Sequence, residues 1–187
     1  MKIALITGAS QGIGSAIAKE LNQKKIKVIL VARSKVKLKK IQTSLKFPKN
    51  SIIISKDLRS LSACNSIGAK IKKLNYLINV AGATKGGSFL KLKDNVWDDG
   101  FNLKFKAAVR LSRNFWKTLR RNKGKVINIG GGAARNPSHT FMIGGAVNSA
   151  LNNFSRALAM QGKIDKVSVS IIHPGMTLTS RLKKLLE

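Results

Sequence analysis

The chain has 187 residues, 43% hydrophobic content, 36 Lys+Arg against 7 Asp+Glu, and a formal net charge of +29. That length suffices for one domain with a sizeable core, and the apolar content argues against wholesale disorder. No apolar run is long enough to span a bilayer, and the lone cysteine, Cys64, excludes an intramolecular disulfide and suits a reducing cytosol.

The predicted elements alternate between short apolar runs and helical patterns. The opening MKIALITGAS has the lysine and apolar residues of a leader, but a glycine-rich turn follows at once, so Ile3–Thr7 reads as a buried first strand. Residues 7–14, TGASQGIG, leave that strand and open a helix over Ile13–Gln23. In this setting Gly8 permits the tight turn, Gly12 lets the backbone approach a pyrophosphate, and Gly14 lets helix and strand pack closely. The helix N-terminus adds unpaired N–H groups and partial positive charge for phosphates. A second strand, Lys27–Val31, ends in VARSK. A dinucleotide fold that prefers NAD carries an acid there, about 20 residues past the glycines. Here no Asp or Glu occurs from Leu21 through Lys56, and Arg33 stands with Ser34 and Lys35. A guanidinium fork with neighbouring donors suits a 2′-phosphate, so NADP is expected rather than NAD.

Further along, the patterns predict a helix over Lys35–Leu45, a strand over Ser51–Ser55, a helix over Leu61–Lys72 and a strand over Tyr76–Val80. A long helix over Asn95–Asn122 follows, with Leu103, Ala107, Leu111, Phe115 and Thr118 facing inward. Lys106, Arg110, Arg113, Lys117 and Arg120 form a basic stripe on another face, read as solvated. Trp97, Trp116 and Tyr76 are assigned to packing, and Cys64 to a half-buried apolar place. A strand over Lys125–Ile129, a helix over Gly145–Gly162 and a strand over Val167–Ile172 complete the series. Strands with little alternation are those of a parallel sheet buried on both faces. The expectation is one Rossmann-like, doubly wound α/β domain over residues 1–187, with about six strands and no metal site.

Several further motifs stand in order along the chain: Asp57-Leu58 after the third strand, Asn79-Val80-Ala81-Gly82 ending the fourth, Asn102 in the long helix, and Pro174-Gly175 with Thr179 after the sixth. With TGASQGIG they make most of the chain resemble the short-chain dehydrogenase/reductase family. The resemblance implies cofactor contacts from Thr7, Gly8, Ser10, Gly12, Ile13, Gly14, Asp57, Leu58, Asn79, Ala81, Gly82, Pro174, Gly175 and Thr179, beside Arg33 and Ser34. It also implies a carbonyl or alcohol substrate and chemistry by a Ser, a Tyr and a Lys four residues after the Tyr. An ungapped alignment from GKVINI to FSRALA puts Gly131, Gly144 and Asn148 at those three positions. All three functional side chains are missing, so the family's mechanism does not carry over. The segment GGGAARNPSHTFMIGGAVNSAL resembles a divergent branch of the family without the Tyr/Lys pair. Restoring Ser, Tyr and Lys together is expected to raise activity.

Substitute acids are sought in His173, before Pro174-Gly175, and in His139, while Ser138 and Thr140 could orient a carbonyl. Asn102 and His173 are the candidate catalytic residues. The sequence ends at RLKKLLE soon after Thr179, where the family continues into a lid and a seventh strand. A less protected sheet edge and a missing pocket wall are therefore expected. Three functions stay open: an atypical NADP-dependent oxidoreductase, a dinucleotide-binding sensor or partner subunit without turnover, and a basic nucleic-acid-binding protein. A cytoplasmic location, self-association into a homo-oligomer and weak, salt-sensitive polyanion binding complete the expectations.

Overall fold

The computed structural model describes residues 1–175 and 177–179. Its first strand shows why the sheet forms. In β1 (Ile3–Thr7), Ile3 and Leu5 pack on one face while Ala4 and Ile6 pack on the other. Side chains alternate across a strand, so an unbroken apolar run demands cover on both faces. The other strands are β2 (Lys27–Ala32), β3 (Ser51–Ser55), β4 (Tyr76–Asn79), β5 (Lys125–Ile129) and β6 (Ser168–Ile172). They form one sheet in the order β3-β2-β1-β4-β5-β6, and all pairs are parallel. The order reverses between β1 and β4, the point at which open α/β sheets part their loops to form a ligand crevice.

The helices are α1 (Gly12–Gln23), α2 (Lys35–Thr43), α3 (Leu61–Lys70), α4 (Asp94–Gly100), α5 (Ala107–Arg121) and α6 (Met142–Asp165). On one face Leu5, Val31, Leu77 and Val126 meet Cys64, Ile67, Leu111 and Phe115. On the other, Ala4, Ile6, Val28 and Leu30 meet Ala18 and Leu38. Phe115 has no exposed surface, and emptying its place costs about 3–5 kcal/mol in such cores.

The long predicted helix is one rod in three parts. A π-helical stretch, Phe101–Lys106, joins α4 to α5. Leu103, Ala107, Leu111 and Phe115 are buried as expected, but Leu119 completes the stripe and Thr118 is only half-buried. The step from Phe115 to Leu119 is i to i+4, the step that keeps one face of a helix. Cys64 is fully buried rather than half-buried, its thiol donates to the Leu58 carbonyl at 3.4 Å, and burial pushes its pKa up. Trp116 packs against the core and its indole N–H donates to Asp165 at 2.7 Å. Beyond β6 no strand follows among the described residues, and Ile172 is 51% exposed there.

A polar chain crosses the core between β4, β5 and α6. Asn79 Nδ2 donates to Asn128 Oδ1 at 2.8 Å, Asn128 Nδ2 to Ser155 Oγ at 2.8 Å, and Ser155 Oγ to the Leu151 carbonyl at 2.6 Å. These bonds satisfy most of the buried polar atoms of this polar chain, Asn79 Oδ1 being an exception.

Candidate functional site

A cleft of roughly 1040 Å³ opens at the C-terminal ends of the strands. Its floor is the turn after β1. Gly8 has φ +64, and a Cβ on it would stand 3.0 Å from Ala81 N. Only glycine allows that conformation and that approach cheaply. Thr7 closes the seam from below, its hydroxyl accepting the N–H groups of Val80 at 2.9 Å and Ala81 at 3.0 Å. A Cβ on Gly14 would collide with the Gly8 carbonyl, so the glycine sets how closely α1 meets the strand. Gln11 at the N-cap makes no side-chain cap, and the first turn of α1 holds no acid. Ser10, Gln11, Gly12 and Ile13 line the cleft there, which leaves a helix N-terminus for phosphates.

Cations gather at one end. Arg33 and Ser34 line it as expected, joined by Lys37 and Lys56, while Lys35 does not. Ser34 also caps α2, its hydroxyl accepting the Lys37 N–H at 3.3 Å. No carboxylate is among the described lining residues. Leu58 lines the wall, but Asp57 does not, because its carboxylate is taken by Arg59 at 3.2 Å. The same guanidinium pairs with Asp99 on α4, with Nη2 3.0 Å from Oδ2, and this hydrogen bond holds the Asp99 carboxyl below its usual range.

The other end is where the sequence expects chemistry, and its occupants differ from the expectation. Gly131 and Asn148 line it, but Gly144 does not. The Phe141 ring fills the space a side chain on Gly144 would take, since a Cβ there would overlap Phe141 Cε1. Asn148 likewise leans over Gly131, with Nδ2 2.9 Å from where a Cβ would sit. A tyrosine at 144 therefore requires the Phe141 ring to turn aside.

His173 is turned out of the cleft. Its Nδ1 lies 3.2 Å from Gly131 N and 3.0 Å from Gly131 O, and its Nε2 lies 3.1 Å from Asn152 Oδ1. With both nitrogens engaged, the ring holds the Gly131 backbone in place. His139 is exposed and, with Ser138 and Thr140, lies outside the lining. Asn102 sits half-buried in the π-helical stretch and is also outside it. Two residues on, Lys104 does line the cleft, and its Nζ donates to the Gly130 carbonyl at 3.2 Å.

Of the residues assigned to the cofactor, Gly8, Ser10, Gly12, Ile13, Gly14, Arg33, Ser34, Leu58, Ala81, Gly82, Pro174, Gly175 and Thr179 line one cleft. Thr179 comes back to the phosphate turn, its Cγ2 3.4 Å from a Cβ placed on Gly12. Thr7, Asp57 and Asn79 stand behind the wall and support it. The residues fit a dinucleotide: a cradle of glycines for the diphosphate, a cationic end, and Asn148, 5% exposed, whose Oδ1 has no hydrogen-bond partner.

A parallel sheet of this order with a glycine turn at its switch point is the arrangement of a dinucleotide-binding fold. Comparison makes the assignment specific: the short chain dehydrogenase family profile matches residues 2–187, and the chain belongs to that family. It is 32% identical over 189 residues to the 3-oxoacyl-(acyl-carrier-protein) reductase FabG of Rickettsia typhi, covering 100% of this chain and 77% of that protein. It is 29% identical over 184 residues to the 2,3-dihydro-2,3-dihydroxybenzoate dehydrogenase of Bacillus subtilis, covering 95% and 70%. The solved structure of L-sorbose reductase from Gluconobacter frateurii, complexed with NADPH and L-sorbose, superposes with a TM-score of 0.90 at 29% identity, covering 96% of this chain and 71% of that one.

Proposed function

We propose that this chain is an NADP(H)-dependent short-chain oxidoreductase of atypical type, acting on a small carbonyl or alcohol compound. The observation that carries the reading is the cationic end of the cleft, where Arg33, Lys37 and Lys56 line the wall and no carboxylate does. A 2′-phosphate finds charge-assisted donors there. The phosphate turn and the α1 N-terminus would hold the diphosphate, Pro174, Gly175 and Thr179 would close over the nicotinamide half, and Asn148 Oδ1 would accept from a ribose hydroxyl. The L-sorbose reductase complex with NADPH is in keeping with this choice of cofactor. When bound, NADPH supplies a hydride; the chain's own residues bind it, orient it and exclude water from its reacting face. Calorimetric titration tests the reading: NADPH is expected to bind more tightly than NADH, and equal affinities would overturn it.

One observation favours a second reading, a dinucleotide-holding subunit without turnover. The Phe141 ring stands where the family's tyrosine side chain would be, and a phenyl ring cannot move a proton. Oxidation of NADPH by a panel of small carbonyls separates the two, since the second reading requires a rate equal to the protein-free control.

The remaining parts of the proposal concern location and partners. A cytoplasmic place fits an NADP(H) protein with a single buried cysteine; no helix among the described residues is long and apolar enough to cross a membrane. Self-association would use the groove between α5 and α6, lined by Val109, Trp116, Phe154 and Leu158. The charge of +29 supports weak polyanion binding that salt releases. Binding to one nucleic-acid sequence that survives moderate salt would instead favour the nucleic-acid function.

A further inference from the structure

The reacting end of the cleft has lost its tyrosine and lysine, and the histidines do not replace them. The end is lined by residues 80–84, 103–104, 129–133, 141 and 148, and among these Lys104 has the only charged side chain. Its stem lies along the backbone that follows β4: a Cβ on Gly82 would stand 2.7 Å from Lys104 Cδ. Its ammonium donates to the Gly130 carbonyl at 3.2 Å, one residue before the position of the family's serine. Phe141, Asn148 and Thr84, which line the same end, carry no group that ionises near neutral pH. Among the described side chains lining this end, the Lys104 ammonium is the one charged donor. A fixed cation stabilises charge developing on an oxygen far better than water does.

We propose that Lys104 is the acid of this site: its ammonium donates a hydrogen bond to the carbonyl oxygen of a small aldehyde or ketone and transfers a proton to it as the carbon is reduced. The proposal rests on the NADP(H) reading above. In the step, the carbonyl carbon accepts a hydride, with its two electrons, from a reduced nicotinamide dinucleotide. The π pair of the C=O bond takes the Nζ proton to form the O–H bond. Lys104 is left as the neutral amine and regains its proton from water. Methionine at 104 keeps the length of the stem and removes both charge and proton; arginine keeps the charge but holds its protons too tightly to transfer them at neutral pH.

The experiment compares the unmodified protein with Lys104→Met and Lys104→Arg in three measurements, after thermal melts have shown each variant folded. The first is NADPH affinity by calorimetry, expected within threefold for all three proteins. The second is binding of benzoate, a carboxylate mimic of the oxyanion with a ring to lie on Phe141, to the dinucleotide-free protein by saturation-transfer NMR at moderate salt. Lys104→Arg is expected to keep the benzoate signal and Lys104→Met to lose it. The third is NADPH-driven reduction of a small aldehyde, expected to fall about 10²-fold or more in both variants. Failure of the unmodified protein to bind NADPH would sink the functional reading itself. Normal NADPH binding with an unchanged benzoate signal and unchanged reduction in Lys104→Met would overturn the role of Lys104 alone. Loss of NADPH binding in a folded Lys104→Met would make the lysine a cofactor contact and overturn the role as well.

Discussion

The two ends of the cleft match the family pattern to different extents. At the phosphate and cationic end the glycine turn, the α1 N-terminus and Arg33 stand where the family pattern puts them. At the reacting end the positions that the ungapped alignment gives to Ser, Tyr and Lys hold Gly131, Gly144 and Asn148, and Phe141 occupies the place beside Gly144 and Asn148 the place beside Gly131. Holding a dinucleotide depends on backbone shape and on charges spread over several groups, so it survives the loss of any one. Acid–base chemistry depends on single atoms placed within hydrogen-bond reach, so the family's own proton route goes with those side chains. On the functional reading proposed above, binding and turnover make separate demands on the two ends.

The sharpest way to break the contrast is to rebuild the reacting end. Gly131→Ser, Gly144→Tyr and Asn148→Lys combined with Phe141→Ala is expected to raise reduction of small carbonyls by about 10²–10⁴, equivalent to roughly 3–5 kcal/mol of barrier. The same three substitutions without Phe141→Ala are expected to lower the melting temperature and give no gain, because the tyrosine has no room. Steady-state NADPH oxidation and a thermal melt check both outcomes. Equal activity of the triple and quadruple variants would show that Phe141 moves aside freely.

At the phosphate and cationic end the expected effect is smaller. Arg33→Ala is expected to remove about 1.5–3 kcal/mol of the preference for NADPH over NADH, the size of a charge-assisted contact. Lys37 and Lys56 line the same wall, so a residual preference is expected until they too are neutralised. Titration of both cofactors against each variant measures this directly. A full preference in Arg33→Ala would move the 2′-phosphate to the two lysines.

Much of this contrast is legible in the sequence, and what is not has a local cause. The parallel sheet can be read because strands covered on both faces become unbroken apolar runs, as in Ile3 to Ile6. The glycine turn can be read because each glycine has a steric duty. Lys37 and Lys56 escape notice because they belong to separate elements, and only the parallel pairing of β2 with β3 brings their ends together. Lys104 escapes because an inward stripe is read from its apolar members, although the regular helical period already sets Lys104 on the face of Ala107, Leu111 and Phe115. Phe141 stands three residues before Gly144 at the start of α6, a spacing that places an aromatic ring over a glycine once the helix start is known. The helix pattern read from the sequence begins later, at Gly145, which left Phe141 outside it.

Between the two ends lies the seam of β1 and β4, and it bears on both. Thr7→Val keeps the shape of the side chain and leaves the N–H groups of Val80 and Ala81 without their shared acceptor. An expected loss of about 1–3 kcal/mol follows for a buried donor left unpaired, read from urea unfolding. Because Ala81 also backs Gly8, NADPH affinity is expected to fall in parallel. A stability loss with unchanged NADPH affinity would show that the turn holds its shape without the seam.

The smallest expected effect lies behind the cationic wall, where Arg59 bridges Asp57 and Asp99. The hydrogen bond from Arg59 lowers the Asp99 pKa in the folded protein below its unfolded value, about 3.9 for an aspartate. A lowered carboxyl pKa stabilises the fold at neutral pH, where both states are ionised. As pH falls below about 4 the unfolded chain takes up the proton first, so this contribution shrinks and is gone once pH passes below the folded value. Asp99 is 47% exposed, so water screens the pair and the contribution is about 0.5 kcal/mol at most. Asp99→Asn is therefore expected to unfold slightly more easily in urea at pH 7, with the gap from the unmodified protein closing as pH falls through the acid range. A gap that stays constant from pH 7 to pH 3 would mean that Asp99 acts through packing on α4 rather than through its charge. If the gap closes and NADPH affinity is unchanged at pH 7, the brace belongs to the fold alone and the preference for the 2′-phosphate rests on the cations that face the cleft.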